Sequence, residues 1–464
     1  MIGVLRGEYN ARRVALVLVE HVLIILSMVA AAVALGVEAA PVTIATGVFW
    51  RASLVAGVLQ ISLHYCDLYD LRTLSDRRDL FRGLLRALGA ASFILAVLYY
   101  LIPTLIIGRG VFALASVLIV GVVAGWRVAF EWLSLRGAPA EKLLIVGTNG
   151  AAVALARELF ERRSELGVEL VGFVDTDPMK VGSALINPGV IGTIADIPGI
   201  VRDRHVDRVV VSLVEARGRL PMDDLLAMKL NQGVRFDHLA SVYEQYTGKI
   251  AVENLRPSWM IFSEGFRKST TFEAIKRSFD VLLAGLGLAI AAPIMAIVAP
   301  LVRLTSPGPA LYDQKRVGKD GAIFTIYKFR SMRVDAEAAT GAVWAKTGDA
   351  RVTPFGRFLR RSRLDELPQL WNVLIGDMSF VGPRPERPEF IAELSKQIPF
   401  YGQRHVVRPG LTGWAQVRHR YGSSVEDSLQ KLQYDLYYIK HMSFPFDVLI
   451  ILETVKTVLM RVGS

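Results

Sequence analysis

A single cysteine, Cys66, stands in a chain of 464 residues. No disulfide can form within the chain, and a fold stapled by disulfides is excluded. The lone thiol fits polar parts that face a reducing compartment. Acidic residues are in deficit: 43 Asp and Glu stand against 54 Lys and Arg, leaving a formal charge of +11. Such a balance suits anionic partners, namely phospholipid head groups, nucleic acid or phosphorylated small molecules. No small-residue cleavage site follows the first apolar run, so no cleavable signal peptide is expected. What the chain has in excess is apolar residues, 52% of the total, too many for an ordinary soluble protein.

Those residues are gathered into runs. Val14–Leu35, Val42–Leu63, Leu84–Ile107 and Val111–Leu133 each approach the ~20 residues that cross a hydrocarbon core. Basic residues cluster before the first run (Arg6, Arg12, Arg13), between the second and third (Arg72, Arg77, Arg78, Arg82, Arg86) and after the fourth (Arg136, Lys142). The link between the first two runs, GVEAAP, has no basic residue. The positive-inside rule then puts the N-terminus, the second loop and everything after Arg136 in the cytoplasm, with Arg109 as a minor exception.

From Glu141 to Ala251 the pattern changes. KLLIVGTNGAAVALARELFERR reads as strand, glycine turn and amphipathic helix, and ELVGFVDTD and RVVVSL read as further buried strands. This alternation predicts a parallel α/β sheet. Gly147 and Gly150 resemble a dinucleotide-binding turn, but Val153 stands at the third glycine position. A packing or dimerising module is the expectation here. A connector, ENLRPSWMIFSEGFRKST, mixes aromatic and basic residues in a way that suits either a membrane interface or domain packing.

Val281–Val302 carries no charge. As a straight helix it would reach about 33 Å, enough to cross a bilayer. Both flanks are basic, however: Arg267, Lys268, Lys276 and Arg277 before it, and Arg303, Lys315, Arg316 and Lys319 after it. Pro293 lies near its middle, where it removes a backbone hydrogen bond. A helix broken at Pro293 that enters and leaves on one face satisfies both facts; a fifth crossing satisfies only the length.

Polar motifs then follow densely. YDQKRVGKDGAIFTIYKFRSM holds Lys315, Arg316, Lys319, Lys328 and Arg330. RRSRLDELPQLWN sets Arg360, Arg361 and Arg363 against the adjacent carboxylates Asp365 and Glu366. GDMSFVGPRPE fixes Arg384 between prolines, and VVRPGLTGWAQV adds Arg408. A guanidinium on a proline-stiffened backbone grips phosphate at reduced entropic cost. Several such arginines around an acidic pair read as a polyanion site. Nearby cations are expected to hold Asp365 ionised. An ionised carboxylate can attack phosphorus, and its neighbour Glu366 can hold a hard cation such as Mg²⁺. YDLYYIKHMSFPFDVLIILETVKTVLM closes the chain, either as interfacial helices or as part of a domain core.

Taken in order, YKFRSM, LDELPQLWNVLIGDMS, VGPRP and RPGLTGWAQV closely resemble the bacterial sugar transferases. These are the polyprenyl-phosphate phosphoglycosyl transferases with one re-entrant membrane helix. The resemblance covers the whole chain, is strongest from Lys276 to Met460, and points to the larger members. It implies a four-helix transmembrane bundle over 1–137 and a Rossmann-like domain over 138–252. A linker over 253–274 and a catalytic domain over 275–464, with a re-entrant helix about 279–303, would follow. It implies transfer of sugar 1-phosphate from a UDP-sugar to undecaprenyl phosphate, with release of UMP, at the bacterial inner membrane. Asp365 would be the nucleophile of a two-step mechanism and Glu366 a Mg²⁺ ligand. Lys328, Arg330, Arg360, Arg384, Arg408 and Gln416 would line the substrate phosphates, and a homodimer is expected, with no nucleic acid involved. The family's helix break is commonly Ser-Pro; here it reads Ala292-Pro293. Two rivals stand. A membrane-bound nucleotide-sugar dehydratase or epimerase needs an intact glycine fingerprint and a Tyr-x-x-x-Lys pair; Val153 breaks the first and the second is absent. A non-enzymatic membrane scaffold would not need Asp365.

Overall fold

The computed structural model describes residues 11–36, 49–66, 68–69, 77–106, 109–137, 141–212, 222–231, 233–252, 263–336, 349–419, 422 and 424–459. Arg6, Arg72, residues 42–48 of the second apolar run and most of the aromatic connector fall outside them. Two compact units divide at Tyr246/Thr247.

In the first unit the apolar runs form helices α1 (Ala11–Ala34), α2 (Phe49–Tyr65), α3 (Arg77–Leu101) and α4 (Arg109–Gly137). They pack as a ring, α1 against α2 and α4, and α3 against α2 and α4. Small residues at the seams (Ala31, Ala52, Ala56, Ala87, Ala91 and Ala115) are buried and let the backbones approach. Inside the ring Arg127 Nε pairs with Glu20 Oε1 at 2.6 Å, both side chains fully buried. A charge that deep is retained only when paired. Segments of α1, α3 and α4, with one further helix below, are long and apolar enough to cross a membrane. The chain is a membrane protein. The described part of α2 is 17 residues long.

After the bundle comes a five-stranded sheet: β1 (Glu141–Val146), β2 (Val168–Asp175), β3 (Val190–Thr193), β4 (Arg208–Val211) and β5 (Arg235–His238). Every pairing is parallel, and the order is β3-β2-β1-β4-β5. Ile145 pairs with Phe173 on one side and Val210 on the other, so β1 is buried on both faces and reads as a continuous apolar run. Helices α5 (Gly150–Glu161), α6 (Ile197–Arg204) and α7 (Met222–Asn231) alternate with the strands. The ligand crevice of such folds lies where the strand order reverses, beyond the end of β1. Here the chain's own side chains bridge it. Thr148 and Lys180 both bond Asp175, and Asn149 donates to Ser212 at 2.7 Å.

The second unit opens on α8 (Thr270–Thr305), 36 residues long, or about 54 Å. The stretch read as bending at Pro293 lies within α8, whose helical assignment runs through both Pro293 and Pro300. A proline removes one backbone bond, and α8 packs on the second unit at points on either side of it. Arg277 near its start bonds the carbonyls of Val373 and Leu374. Further along, Ala284 packs with Ile326 and Val373. Val298 and Val302 near its end pack with Phe329 and Leu359. The opposite face exposes Leu282, Leu286, Ile290, Ile297, Leu301 and Leu304.

The hairpin β6 (Leu311–Val317) and β7 (Ile323–Phe329) follows, in the register Tyr312 to Lys328. Next come α9 (Pro354–Arg361), α10 (Gln369–Ile375), β8 (Ser379–Val381), α11 (Pro388–Gln397) and β9 (Gly410–Thr412), with β8 and β9 parallel. The last helices are α12 (Trp414–Arg418), α13 (Val425–His441) and α14 (Phe444–Leu459). Of the two readings of the C-terminus, α13 takes the core: every residue from Leu432 to Ile439 is buried. Helix α14 is two-faced, burying Phe446 and Ile450 and exposing Leu452 and Val455.

Candidate active site

The acidic pair sits in a tight turn between two helices. Thr353 caps α9 by accepting from the Gly356 N–H at 2.9 Å. Gly356 passes so close to the Ser331 carbonyl that a Cβ would lie 2.0 Å from its oxygen, so only glycine fits. Arg363 then turns left-handed (φ 56°) and a single 3-10 turn, Leu364–Glu366, carries both acids. Asn372 on α10, fully buried, donates to Thr325 O at 2.7 Å and accepts from Tyr327 N at 3.1 Å. It fixes α10 against β7, and hence the turn against Lys328. Asn372 lay in a quoted motif without a role; nothing in the sequence separates a tie of this kind from an exposed amide.

The two carboxylates live in different surroundings. Glu366 Oε1 receives Arg384 Nη2 at 2.6 Å and Lys328 Nζ at 3.4 Å, and Oε2 faces Arg363 Nη1 at 3.7 Å. Burial alone would raise the Glu366 pKa, yet Arg384, Lys328 and Arg363 hold it far below the usual carboxylate range. Asp365 is 8% exposed and its Oδ1 has no hydrogen-bond partner. Burial first, and the charge on Glu366 second, push Asp365 up to about 6, against the pull of Lys328, Arg360 and Arg363. Lys328, Arg360 and Arg363 favour the ionised form, as expected, but desolvation outweighs them and leaves Asp365 above the usual carboxylate range. Burial also lowers the Lys328 pKa, opposed by Glu366.

The predicted cations divide. Lys328, Arg360 and Arg384 gather at the pair; Arg360 bonds Ser331 Oγ at 2.8 Å and adds its charge to the field at Asp365. Arg363, read as one of the surrounding cations but not as a site residue, joins them. Arg330 does not. Its guanidinium donates to the carbonyls of Ser306 and Pro307, both at 2.6 Å, at the end of α8. Gly308 (φ 116°) makes room, since a Cβ there would lie 2.1 Å from Arg330 Nη1. Arg408 likewise donates to Gly376 O at 3.0 Å, beside the α10 carbonyls that Arg277 holds. Helix ends carry unsatisfied carbonyls, and an arginine fork suits them as well as it suits phosphate. Gln416, on α12, donates to Leu411 O at 3.4 Å, and its buried Oε1 is unpartnered.

Among the described residues no group of three or more His, Cys, Asp or Glu side chains could cage a metal. The acidic pair still fits a hard cation. Glu366 Oε2 has Arg363 Nη1 at 3.7 Å, and Asp365 Oδ1 is a buried oxygen without a hydrogen-bond partner. Mg²⁺ takes one or two carboxylates and completes its shell with phosphate and water oxygens.

Residues 271–461 match the bacterial sugar transferase family, and residues 64–220 match a CoA-binding domain family. A UDP-glucose:undecaprenyl-phosphate glucose-1-phosphate transferase of Xanthomonas campestris pv. campestris is 34% identical over 343 residues, 70% of this chain and 68% of that protein. One of the same name from Escherichia coli (strain K12) is 32% identical over 356 residues, 74% and 73% of the two chains. The chain belongs to the bacterial sugar transferase family. A UDP-N-acetylgalactosamine-undecaprenyl-phosphate N-acetylgalactosaminephosphotransferase of Aeromonas hydrophila is 43% identical over 227 residues, 49% of this chain. The chain spans about half the length of that relative, 53%. Membership in the family makes this chain a phosphotransferase.

Proposed function

We propose that this sugar transferase moves the sugar 1-phosphate of a UDP-sugar onto undecaprenyl phosphate and releases UMP. That is a first membrane step of exopolysaccharide, O-antigen or capsule synthesis. One observation carries the reading: two adjacent carboxyls with opposite fates, Glu366 locked by three cations and Asp365 left with an unpartnered oxygen and a pKa raised to about 6. Titratable neighbours whose pKa values are pushed apart mark a division of roles. A carboxylate near pH 7 is then mostly ionised yet poorly solvated, which favours attack.

Asp365 Oδ1 attacks the β-phosphorus of the UDP-sugar. The bond from that phosphorus to the bridging oxygen breaks, and UMP leaves with the electron pair. The sugar phosphate is held as an acyl phosphate on Asp365. A phosphate oxygen of undecaprenyl phosphate attacks the same phosphorus, the bond to Asp365 breaks, and a lipid diphosphate sugar departs. Phosphoryl transfer asks mainly for positioning and charge stabilisation, here from Arg360, Arg363, Arg384 and Lys328. Mg²⁺, when bound, would be held by Glu366 with substrate oxygens and would neutralise charge on the phosphates.

The acceptor's head group lies at the membrane surface, and α8 offers a way to keep the site there. Its packed face touches the second unit from Arg277 to Val302, and its other face is a stripe of exposed apolar side chains. In this reading both ends of α8 stay on the cytoplasmic side and the stripe meets lipid. Pairing with a second copy, expected of the larger members, belongs to the same reading.

The test is incubation of purified protein with undecaprenyl phosphate and a panel of UDP-sugars, detecting UMP. Release with at least one donor, dependent on the lipid phosphate for turnover, supports the reading. Bound NAD and no UMP from any donor would return the dehydratase alternative.

A further inference from the structure

Arg384 reaches Glu366 from a segment, Pro383-Arg384-Pro385, that has few ways to be anchored. Neither proline has an N–H to donate, so the backbone is held through its carbonyls. From Val381 to Glu386 five carbonyls have a named donor. Val381 O lies 3.0 Å from the Tyr438 hydroxyl. Pro383 O accepts from Gly410 N at 2.9 Å, and Glu386 O from Val317 N at 3.1 Å. Pro385 O accepts from Arg316 Nη1 at 2.9 Å. Arg384 O accepts from Arg404 Nη2 at 3.0 Å.

The Arg404 contact stands apart because of what holds it. Its side chain is 3% exposed, and Nη2 lies 2.8 Å from Asp435 Oδ2, itself 2% exposed, on the core helix α13. Its Nη1 donates to the Tyr401 hydroxyl at 2.7 Å. One buried guanidinium thus joins α13, the 3-10 turn at Tyr401 and the backbone of Arg384. Tyr438, which reaches Val381 O, lies one turn further along α13 from Asp435. Helix α13 therefore braces the segment through Asp435 and Arg404, with the Tyr438 hydroxyl, also 2.7 Å from Asp447 Oδ1, set beside Val381 O. A buried ion pair is weak evidence for stability alone, since a well-packed apolar replacement is often as stable.

We propose that Arg404 and Asp435 are positioning residues for the transfer: they fix the backbone of Arg384 so that its guanidinium meets Glu366. The inference rests on the transferase reading above. It places one contact, 2.6 Å between Arg384 and Glu366, under the control of two buried residues that lie away from the acidic pair.

The experiment is a double-mutant cycle on the full chain in lipid nanodiscs, following UMP release. The four proteins are wild type, Arg384→Gln, Arg404→Gln and the double variant. Misplacing a catalytic group by about an ångström costs on the order of 10–100-fold. Arg404→Gln is expected to lower kcat by about that factor, with KM for the UDP-sugar changed by less than about threefold. In the Arg384→Gln background the same substitution should change kcat by less than about twofold, because the residue it positions is already gone. An equal loss in both backgrounds, or no loss in the wild-type background, overturns the positioning role. If Arg404→Gln does not fold, Asp435→Asn takes its place in the cycle, with the same non-additivity expected. A wild-type protein that releases no UMP sinks the transferase reading itself; an active wild type with additive variants sinks only the positioning.

Discussion

Arg384 Nη2 lies 2.6 Å from Glu366 Oε1, and Lys328 on β7 shares that oxygen at 3.4 Å. Three cations converge on one carboxylate that is 13% exposed. Its depressed pKa is a statement about stability. The contribution is present above the usual carboxylate range and is lost as pH falls through the folded value. Glu366→Gln should therefore lower stability at pH 7, by about 3 kcal/mol for a broken buried pair. A thermal melt of each protein measures it, and the gap between wild type and variant should narrow in strong acid.

Asp365 carries the opposite sign. A raised pKa means that the fold prefers the protonated acid, so stability is highest at low pH and falls as pH rises through about 6. Asp365→Asn removes that penalty. Its melting temperature at pH 7.5 should equal or exceed that of wild type, and the two should converge near pH 4. Transfer should meanwhile fall by about 10³-fold or more, as when other nucleophiles are removed. A variant both dead and no less stable separates function from folding.

The same shift sets a pH profile. The attacking form of Asp365 is ionised, so kcat/KM should fall on the acid side with an apparent midpoint near 6. Glu366, Lys328, Arg360 and Arg363 act on Asp365, and Arg384 acts on Glu366 beside it. Removing Arg360, whose charge lowers the Asp365 pKa, should move the midpoint upward. Steady-state rates from pH 5 to pH 9 would read both.

Arg330 offers a contrast with Arg360. Arg330→Met strands the carbonyls of Ser306 and Pro307 at the end of α8, worth about 1–3 kcal/mol each. Gly308→Ala should be comparably damaging, through both its positive φ and the 2.1 Å approach to Arg330. Melting temperatures should drop for both, whereas Arg360→Met should lose activity with little change in melting.

Placement of α8 is testable by thiol labelling after replacing Cys66 with serine. Arg267→Cys and Arg303→Cys sit at exposed positions on either flank of the apolar stretch. Both should react with a membrane-impermeant reagent from the cytoplasmic side alone, and Ile290→Cys should not react. Labelling of the two flanks from opposite sides would mean that α8 crosses the bilayer.

The sequence made some of this legible and hid the rest for physical reasons. The long runs are marked by their apolar composition, and strands β1, β2 and β4 by short apolar stretches that are largely buried. Strands β3 and β5 are the two edges of the sheet and lack the apolar run that marks β4; β5 reads Arg-Phe-Asp-His. The acidic pair and Lys328, Arg360 and Arg384 were read as a group, and the structure gathers them. Arg330 and Arg408 were read with them because a phosphate and a helix C-terminus ask for the same fork of donors. The left-handed turn at Arg363 and the tie from Arg404 to Arg384 O are long-range outcomes of packing, and no local pattern announces them.

The most direct measurement is the mass of the enzyme after exposure to the UDP-sugar alone, without lipid phosphate, followed by acid quench and peptide analysis. The account predicts one added sugar phosphate on the peptide that contains Asp365, matched by UMP in solution and absent from Asp365→Asn. Unmodified protein, with UMP appearing only once undecaprenyl phosphate is added, would contradict it and point to direct transfer in one step.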